Sequence, residues 1–235
     1  MSSASSPEPR AAAVIVAGGS GRRVGGPVRK QYLEIGGIPV LLRAVLPFLV
    51  DPRIHQVVVV LPPDDVGAPP PWLASLGVRI VAGGAERGDS VRSGLAAVEE
   101  DADFVLVHDG ARPFVSPGMI ERVLDAAPRA SIAAIPVTDT IKQVDEYGAI
   151  TGTPDRARLW QAQTPQGFPR AGLLRAYARA REDGVAATDD AALYERYVGP
   201  VRVVMGSYRN LKVTRPADLA VAESLALDPE VGEGE

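Results

Sequence analysis

Apolar residues recur along this chain in short runs, each closed by glycine, proline or charge and followed by a stretch of helical periodicity. Ala11 to Ala17 is the clearest run, with seven consecutive small or β-branched apolar residues and no polar face to turn to water. It predicts a strand covered on both sides, as in a parallel sheet. Val57 to Leu61, Gly77 to Val81, Phe104 to His108, Ser131 to Val137 and Val201 to Met205 read as further strands. Helices are predicted between them: VLLRAVLPFLV behind Pro39, with Pro47 as a kink point, and a short helix out of the proline-rich DDVGAPPPWL. SVRSGLAAVEE follows, capped by Asp89 or Ser90, then a helix from about Pro117 to Ala126. Arg170 to Arg181 is amphipathic, Thr188-Asp189-Asp190 caps a helix through Tyr197, and Pro216 opens the closing helix ADLAVAESLAL. Strands alternating with helices predict an α/β, Rossmann-like fold, a mostly parallel, doubly wound sheet with helices on both faces.

One segment breaks the alternation. Between residues 138 and 158 polar and apolar residues alternate around Tyr147-Gly148, the pattern of a solvent-exposed antiparallel hairpin. So polar a hairpin buries little against its own domain, and an arm lying on a second copy of the chain explains it, which predicts a homodimer. Trp160 to Pro169 then rejoins the core.

Composition narrows the class. At 235 residues, 46% hydrophobic and 23% charged, the chain fits one globular domain, placed at residues 10–228 between a disordered lead, 1–9, and an acidic, glycine-rich tail, 229–235. A net charge of −4 argues against a nucleic-acid partner held by bulk electrostatics, yet it permits a local basic pocket. With no cysteine there is neither a disulfide nor a thiolate site, and His55 and His108 are too few for a histidine-rich metal centre. The absence of a long apolar span or signal-like leader predicts a cytoplasmic protein with no membrane partner.

Candidate chemistry starts where the first strand ends. Gly18, Gly19 and Gly21 permit tight turning and close backbone approach, while Arg22, Arg23, Arg29 and Lys30 gather positive charge, so an anion belongs there. The loop is not a P-loop, since no Lys-Ser or Lys-Thr pair closes it. Nor is it a dinucleotide fingerprint, because Val24 stands at the last glycine position. Gly83-Gly84 before a helix, with Arg87 nearby, is a second candidate for backbone contact with a nucleotide. The fourth strand runs into Asp109-Gly110-Ala111-Arg112, at the strand end where open α/β sheets collect ligands; Asp109 suits a divalent cation, directly or through water, and Arg112 either pairs with phosphate or holds the loop. His108 reads as a structural, hydrogen-bonded residue.

Taken together, AGGSGRR with Lys30-Gln31-Tyr32, GGAERGDSV, VHDGARP, PVTDTIK, TPQGF, TDDA and NLKVT resemble the 2-C-methyl-D-erythritol 4-phosphate cytidylyltransferases from Ala11 to about Leu225. The resemblance implies a nucleotidyltransferase fold, glycosyltransferase-A-like, that transfers a cytidylyl group from CTP to methylerythritol phosphate with Mg²⁺ on the triphosphate. By that resemblance Arg23, Lys30 and Lys212 are catalytic clamps on the phosphates. Ala17, Gly18, Gly19, Gly21, Gly84, Ser90 and Asp109 line the CTP site, with Asp109 near the metal directly, through water or through the triphosphate. Arg112, Thr140, Arg156, Thr164 and Thr188 become acceptor residues, Thr140 and Arg156 being offered by the arm to the neighbouring subunit.

Arg29, Ala85 and Gly110 depart from the family's usual proline, aspartate and alanine. A pentitol-phosphate enzyme such as a ribitol 5-phosphate cytidylyltransferase is the nearest rival, because acceptor choice rests on small differences in hydrogen bonding. A sugar nucleotidyltransferase using another base, and a catalytically silent nucleotide-binding or dimerising module, are the others.

Overall fold

The structure, a computed structural model, describes residues 10–19, 28–186 and 188–228. The lead and tail expected at 1–9 and 229–235 lie outside these residues. In chain order the strands are Ala11–Val16 (β1), Glu34–Ile35 (β2), Ile38–Pro39 (β3), Ile54–Leu61 (β4), Arg79–Ala82 (β5), Phe104–Asp109 (β6), Ser131–Pro136 (β7), Gln143–Val144 (β8), Ile150–Gly152 (β9), Trp160–Pro169 (β10) and Arg202–Met205 (β11). The helices are Val40–Val50 (α1), Pro63–Val66 (α2), Pro71–Ala74 (α3), Arg87–Ala97 (α4), Pro117–Asp125 (α5), Arg170–Glu182 (α6), Asp190–Tyr197 (α7) and Pro216–Leu227 (α8).

Seven strands form one sheet in the order β11, β7, β10, β6, β1, β4, β5. Its pairings are parallel except around β10, which runs antiparallel to both β6 and β7. The two-residue period of β1 divides the core. Ala12 and Val14 face Val91 and Leu95 of α4 and the apolar sides of α6 and α7. Ala13 and Ile15 face Leu41, Val45 and Phe48 of α1 and Met119 and Ile120 of α5. Both faces are therefore covered, which is why the parallel strands read as unbroken apolar runs. On one face α4 approaches very closely: a Cβ on Gly94 would stand 2.3 Å from Val14 Cγ1.

Several local expectations change. A 3₁₀ turn, Lys30–Tyr32, precedes the short hairpin β2–β3. Helix α4 begins earlier than Asp89, because Glu86 is its N-cap and Asp89 closes a capping box onto Glu86 N at 3.2 Å. At α7 the cap is Asp189, whose carboxylate accepts from Ala192 N at 3.0 Å. Asp190, one residue on, is turned inward and fully buried. Segment 160–169 supplies an interior antiparallel strand, a placement that its own polar and apolar pattern does not reveal.

The hairpin expected at 138–158 is present as β8 and β9, turned through Gly148 at φ +83°. Gly supports that backbone without a Cβ penalty. Val144, Tyr147 and Ile150 are exposed along it, Tyr147 by 87%.

Candidate active site

Val16 pairs with Asp109 in the register of β1 and β6, so the loops leaving these strands open at the same end of the sheet. Here the strand order reverses direction, with β4 on one side of β1 and β6 on the other, and such a switch point forms a crevice. A cleft of about 260 Å³ occupies it, walled by Gly18, Lys30, Gly84, Arg87, Asp109 and Lys212 among others.

The wall nearest α4 is built by close approach of small groups. Cβ atoms on Gly18 and Gly83 would fall 2.8 and 2.6 Å from Ser90 Oγ, so the loops after β1 and β5 can meet only as glycines. Ser90 Oγ accepts from Gly84 N at 3.2 Å and donates to Glu86 O at 3.3 Å, so its hydroxyl shapes the loop that carries Gly84.

Lys30 and Lys212 reach the cleft from segments pinned on both sides. Gln31 Nε2 donates to Ala17 O at 3.2 Å, tying the exit of the glycine loop to its entry, and Tyr32 OH donates to Asp65 at 2.7 Å. Lys30 Nζ donates to Val213 O at 3.3 Å. Val213 N donates to Ala111 O at 2.8 Å, and Asp218 accepts from Thr214 N and Arg215 N at 2.7 and 2.8 Å, which fixes the backbone around Lys212.

Asp109 is the electrostatic centre. Its Oδ2 lies 2.7 Å from Lys212 Nζ and 3.8 Å from Arg112 Nε, and its Oδ1 accepts from Arg87 Nε at 3.0 Å. Burial alone raises a carboxyl pKa, but here the charges of Arg87, Lys212 and Arg112 outweigh it and hold Asp109 well below the usual carboxylate range. Arg87 is itself shared: its Nη2 donates to Asp190 Oδ2 at 2.8 Å, and Asp190 Oδ1 accepts from Tyr177 OH. Burial opposes the charge on Arg87, yet the two carboxylates raise its pKa above the ordinary arginine value.

Behind Asp109 runs a chain of directed hydrogen bonds. His108 Nε2 lies 3.2 Å from Arg112 O, an acceptor only, so that nitrogen carries the hydrogen and Nδ1 accepts from Thr164 Oγ1 at 2.9 Å. Thr164 Oγ1 in turn accepts from Asp109 N at 3.0 Å. The buried imidazole is thus held neutral, its pKa pushed down to about 4 by burial. Arg112 Nη1 donates to Asn210 O at 2.7 Å and Asn210 Nδ2 to Thr164 O at 2.9 Å, so strands and the Lys212 segment share one buried network.

Among the residues singled out from the sequence, Ala17, Gly18, Gly19, Lys30, Gly84, Ser90, Asp109 and Lys212 meet at this cleft. Gly21 and Arg23 lie outside the described residues. Arg112 and Thr164 sit behind Asp109, the former mostly buried and the latter wholly engaged in the His108 chain. Thr188 is exposed beside the start of α7, and Thr140 and Arg156 are exposed on the arm, where Arg156 Nη1 donates to Thr138 O at 2.7 Å. Arg29, read as part of the phosphate cluster, pairs instead with Asp64 and Asp65 at 3.1 and 3.4 Å. In sequence Arg87 is only a cation beside a glycine turn and Asp190 only part of a helix cap; no local signal shows that they meet from 103 residues apart.

Residues 11–227 match the family model of 2-C-methyl-D-erythritol 4-phosphate cytidylyltransferase, IspD. The chain is similar to the 2-C-methyl-D-erythritol 4-phosphate cytidylyltransferase of Syntrophus aciditrophicus, 45% identical with 92% of this chain and 96% of that one covered. Among solved structures it is similar to the enzyme of that name from Thermus thermophilus, 38% identical with a TM-score of 0.75 over 91% of this chain and 98% of that one. It also resembles the 4-diphosphocytidyl-2C-methyl-D-erythritol synthase of Anaerococcus prevotii, 28% identical with a TM-score of 0.81 over 93% and 99% of the two chains.

Proposed function

From membership of the 2-C-methyl-D-erythritol 4-phosphate cytidylyltransferase family, to which this chain belongs, we infer that the cleft between β1 and β6 is where CTP and methylerythritol phosphate react. The chain is a nucleotidyltransferase of isoprenoid synthesis: it forms 4-diphosphocytidyl-methylerythritol and releases pyrophosphate. An oxygen of the acceptor phosphate bonds to the α-phosphorus of CTP while the bond from that phosphorus to the bridging oxygen of pyrophosphate breaks. The attacking phosphate is already anionic near neutral pH, so no strong base is needed. The difficulty is bringing two anions together and stabilising the charge that leaves, which makes fixed cations and alignment the main contributions.

The observation that carries this reading is Lys212 Nζ at 2.7 Å from an Asp109 carboxylate at the head of β6, with Lys30 on the same cleft. Lys30 and Lys212 supply charge to the α-phosphate, and Arg23, on the glycine loop, supplies it to the outer phosphates. Gly84 and the loop that Ser90 braces offer backbone groups to the base, and Asp109 faces the ribose and the triphosphate. Among the described residues no cluster of three metal-binding side chains exists, while Asp109 is one ionised carboxylate held among cations. That set suits Mg²⁺, which keeps waters and binds through one or two carboxylates plus substrate phosphates. Asp109 would hold such an ion together with the triphosphate, and the chemistry supplied there would be charge neutralisation of the leaving pyrophosphate.

The exposed arm is read as a dimer element that carries Thr140 and Arg156 to the acceptor in a second copy's cleft, with the folded unit spanning 10–228 and residues 138–158 as the arm within it. No helix among the described residues is long and apolar enough to cross a membrane, and a cytoplasmic location is the matching proposal. The test is pyrophosphate release with CTP and Mg²⁺, comparing methylerythritol phosphate with ribitol 5-phosphate and CTP with the other nucleoside triphosphates. Turnover confined to CTP and methylerythritol phosphate is expected; a clear preference for ribitol 5-phosphate would overturn the acceptor assignment.

A further inference from the structure

The Asp109 carboxylate has two oxygens with different duties. Oδ2 meets Lys212, whose side chain is part exposed on the cleft, whereas Oδ1 meets Arg87, which is held from behind. Arg87 spans from Asp109 to Asp190 with separate nitrogens, Nε at 3.0 Å and Nη2 at 2.8 Å, the fork geometry that a guanidinium has and an ammonium lacks. Asp190 is fully buried and accepts from Tyr177 OH of α6 as well. Each end of this strut rests on regular structure: Arg87 opens α4, Asp190 opens α7 and Asp109 ends β6. An arginine on a phosphate cleft is ordinarily free to seize phosphate, and here two carboxylates hold it in the wall.

We propose that Asp190 is a positioning residue for the transfer: it anchors Arg87, and Arg87 commits one oxygen of Asp109 to the wall so that the other is left to Lys212 and the nucleotide. This rests on the reading of Asp109 as a CTP residue given above. Without the strut the Asp109 carboxylate can turn and share both oxygens with Lys212 and Arg112, which withdraws a cation from the α-phosphate. Tyr177 completes the device by fixing Asp190, so a residue of α6 outside the cleft acts on the nucleotide through two ionic contacts.

Removing Arg87 outright leaves Asp190 buried without a cation and risks unfolding, so near-isosteric variants are the test. Steady-state kinetics of the full chain are compared for wild type, Asp190→Asn, Arg87→Lys, Tyr177→Phe, the Arg87→Lys/Asp190→Asn pair and Asp109→Asn, with melting curves for each. Asp190→Asn and Arg87→Lys are each expected to lower kcat/KM for CTP about tenfold while KM for the acceptor stays within about twofold. The pair should lose about as much as either single variant, because both break one strut, and Tyr177→Phe should lose less. Equal worsening of both substrates in step with a lowered Tm, or losses that multiply in the pair, would overturn the proposal. So would kinetics within about twofold of wild type in Asp190→Asn and Arg87→Lys while Asp109→Asn is impaired. If Asp109→Asn itself handles CTP as wild type does, the reading of Asp109 fails first and the strut has nothing to position.

Discussion

Lys212 Nζ and Asp109 Oδ2 lie 2.7 Å apart, joining the segment before α8 to the end of β6 across the mouth of the cleft. Because Val213 N is bonded to Ala111 O, the two backbones are locked in register and the ion pair is preset. If Lys212 is the clamp proposed above, Lys212→Ala is expected to lower kcat roughly 10²-fold, since it would remove one charge from the reacting phosphates. Pyrophosphate release at saturating CTP measures it, and a variant within about threefold of wild type would place the clamp elsewhere.

The proposal that the arm serves a second copy's cleft makes a mixing prediction. Lys212→Ala and Arg156→Ala proteins, each nearly inactive alone, should regain activity when mixed and allowed to exchange subunits. Random pairing gives half heterodimers with one intact site in each, so recovery approaches roughly a quarter of wild-type activity. No recovery despite demonstrated exchange would mean that the arm serves its own subunit.

Gly94 sets how closely α4 lies on the sheet. A methyl group there would stand 2.3 Å from Val14 Cγ1 and 3.0 Å from Val60 Cγ2, both on stiff β-branched side chains inside the core. Gly94→Ala is expected to destabilise the fold by about 1–3 kcal/mol despite alanine's better helix propensity. Denaturant titration reads this directly, and Val14→Ala in the same chain should recover part of the loss.

His108 gives the fold an acid-sensitive step. Its pKa falls from an ordinary 6.5 to about 4 in the folded chain, so between these values the unfolded chain binds the extra proton. Stability is therefore complete above about pH 6.5 and is lost as pH falls toward about 4, by roughly 3 kcal/mol over the window. Comparing urea midpoints of wild type and His108→Gln from pH 7 to pH 4.5 checks this. The wild type should lose more stability than the variant over that range; parallel losses would assign the effect to other groups.

The strands with unbroken apolar runs were legible because burial on both faces leaves no polar position, and the order of their glycine and charge motifs named the family. The arm was legible for the opposite reason, a polar alternation too poor in apolar surface to bury. Gly18, Lys30 and Asp109 could be nominated from residue type at a strand end or loop, the first two for phosphate and the third for a cation, whereas Ala17 and Lys212 were carried over only by the resemblance. What the sequence could not contain was the partner of each charge. Arg29 and Lys30 are adjacent, yet one turns to Asp64 and Asp65 and the other to the cleft. Asp189 and Asp190 are adjacent too, and one caps a helix while the other is buried against Arg87. Local pattern decides how a segment folds, since it depends on neighbours a few residues away. The pairing of Arg87 with Asp109 and Asp190, and the insertion of β10 between β6 and β7, depend on which strands lie side by side, and only the packed sheet decides that.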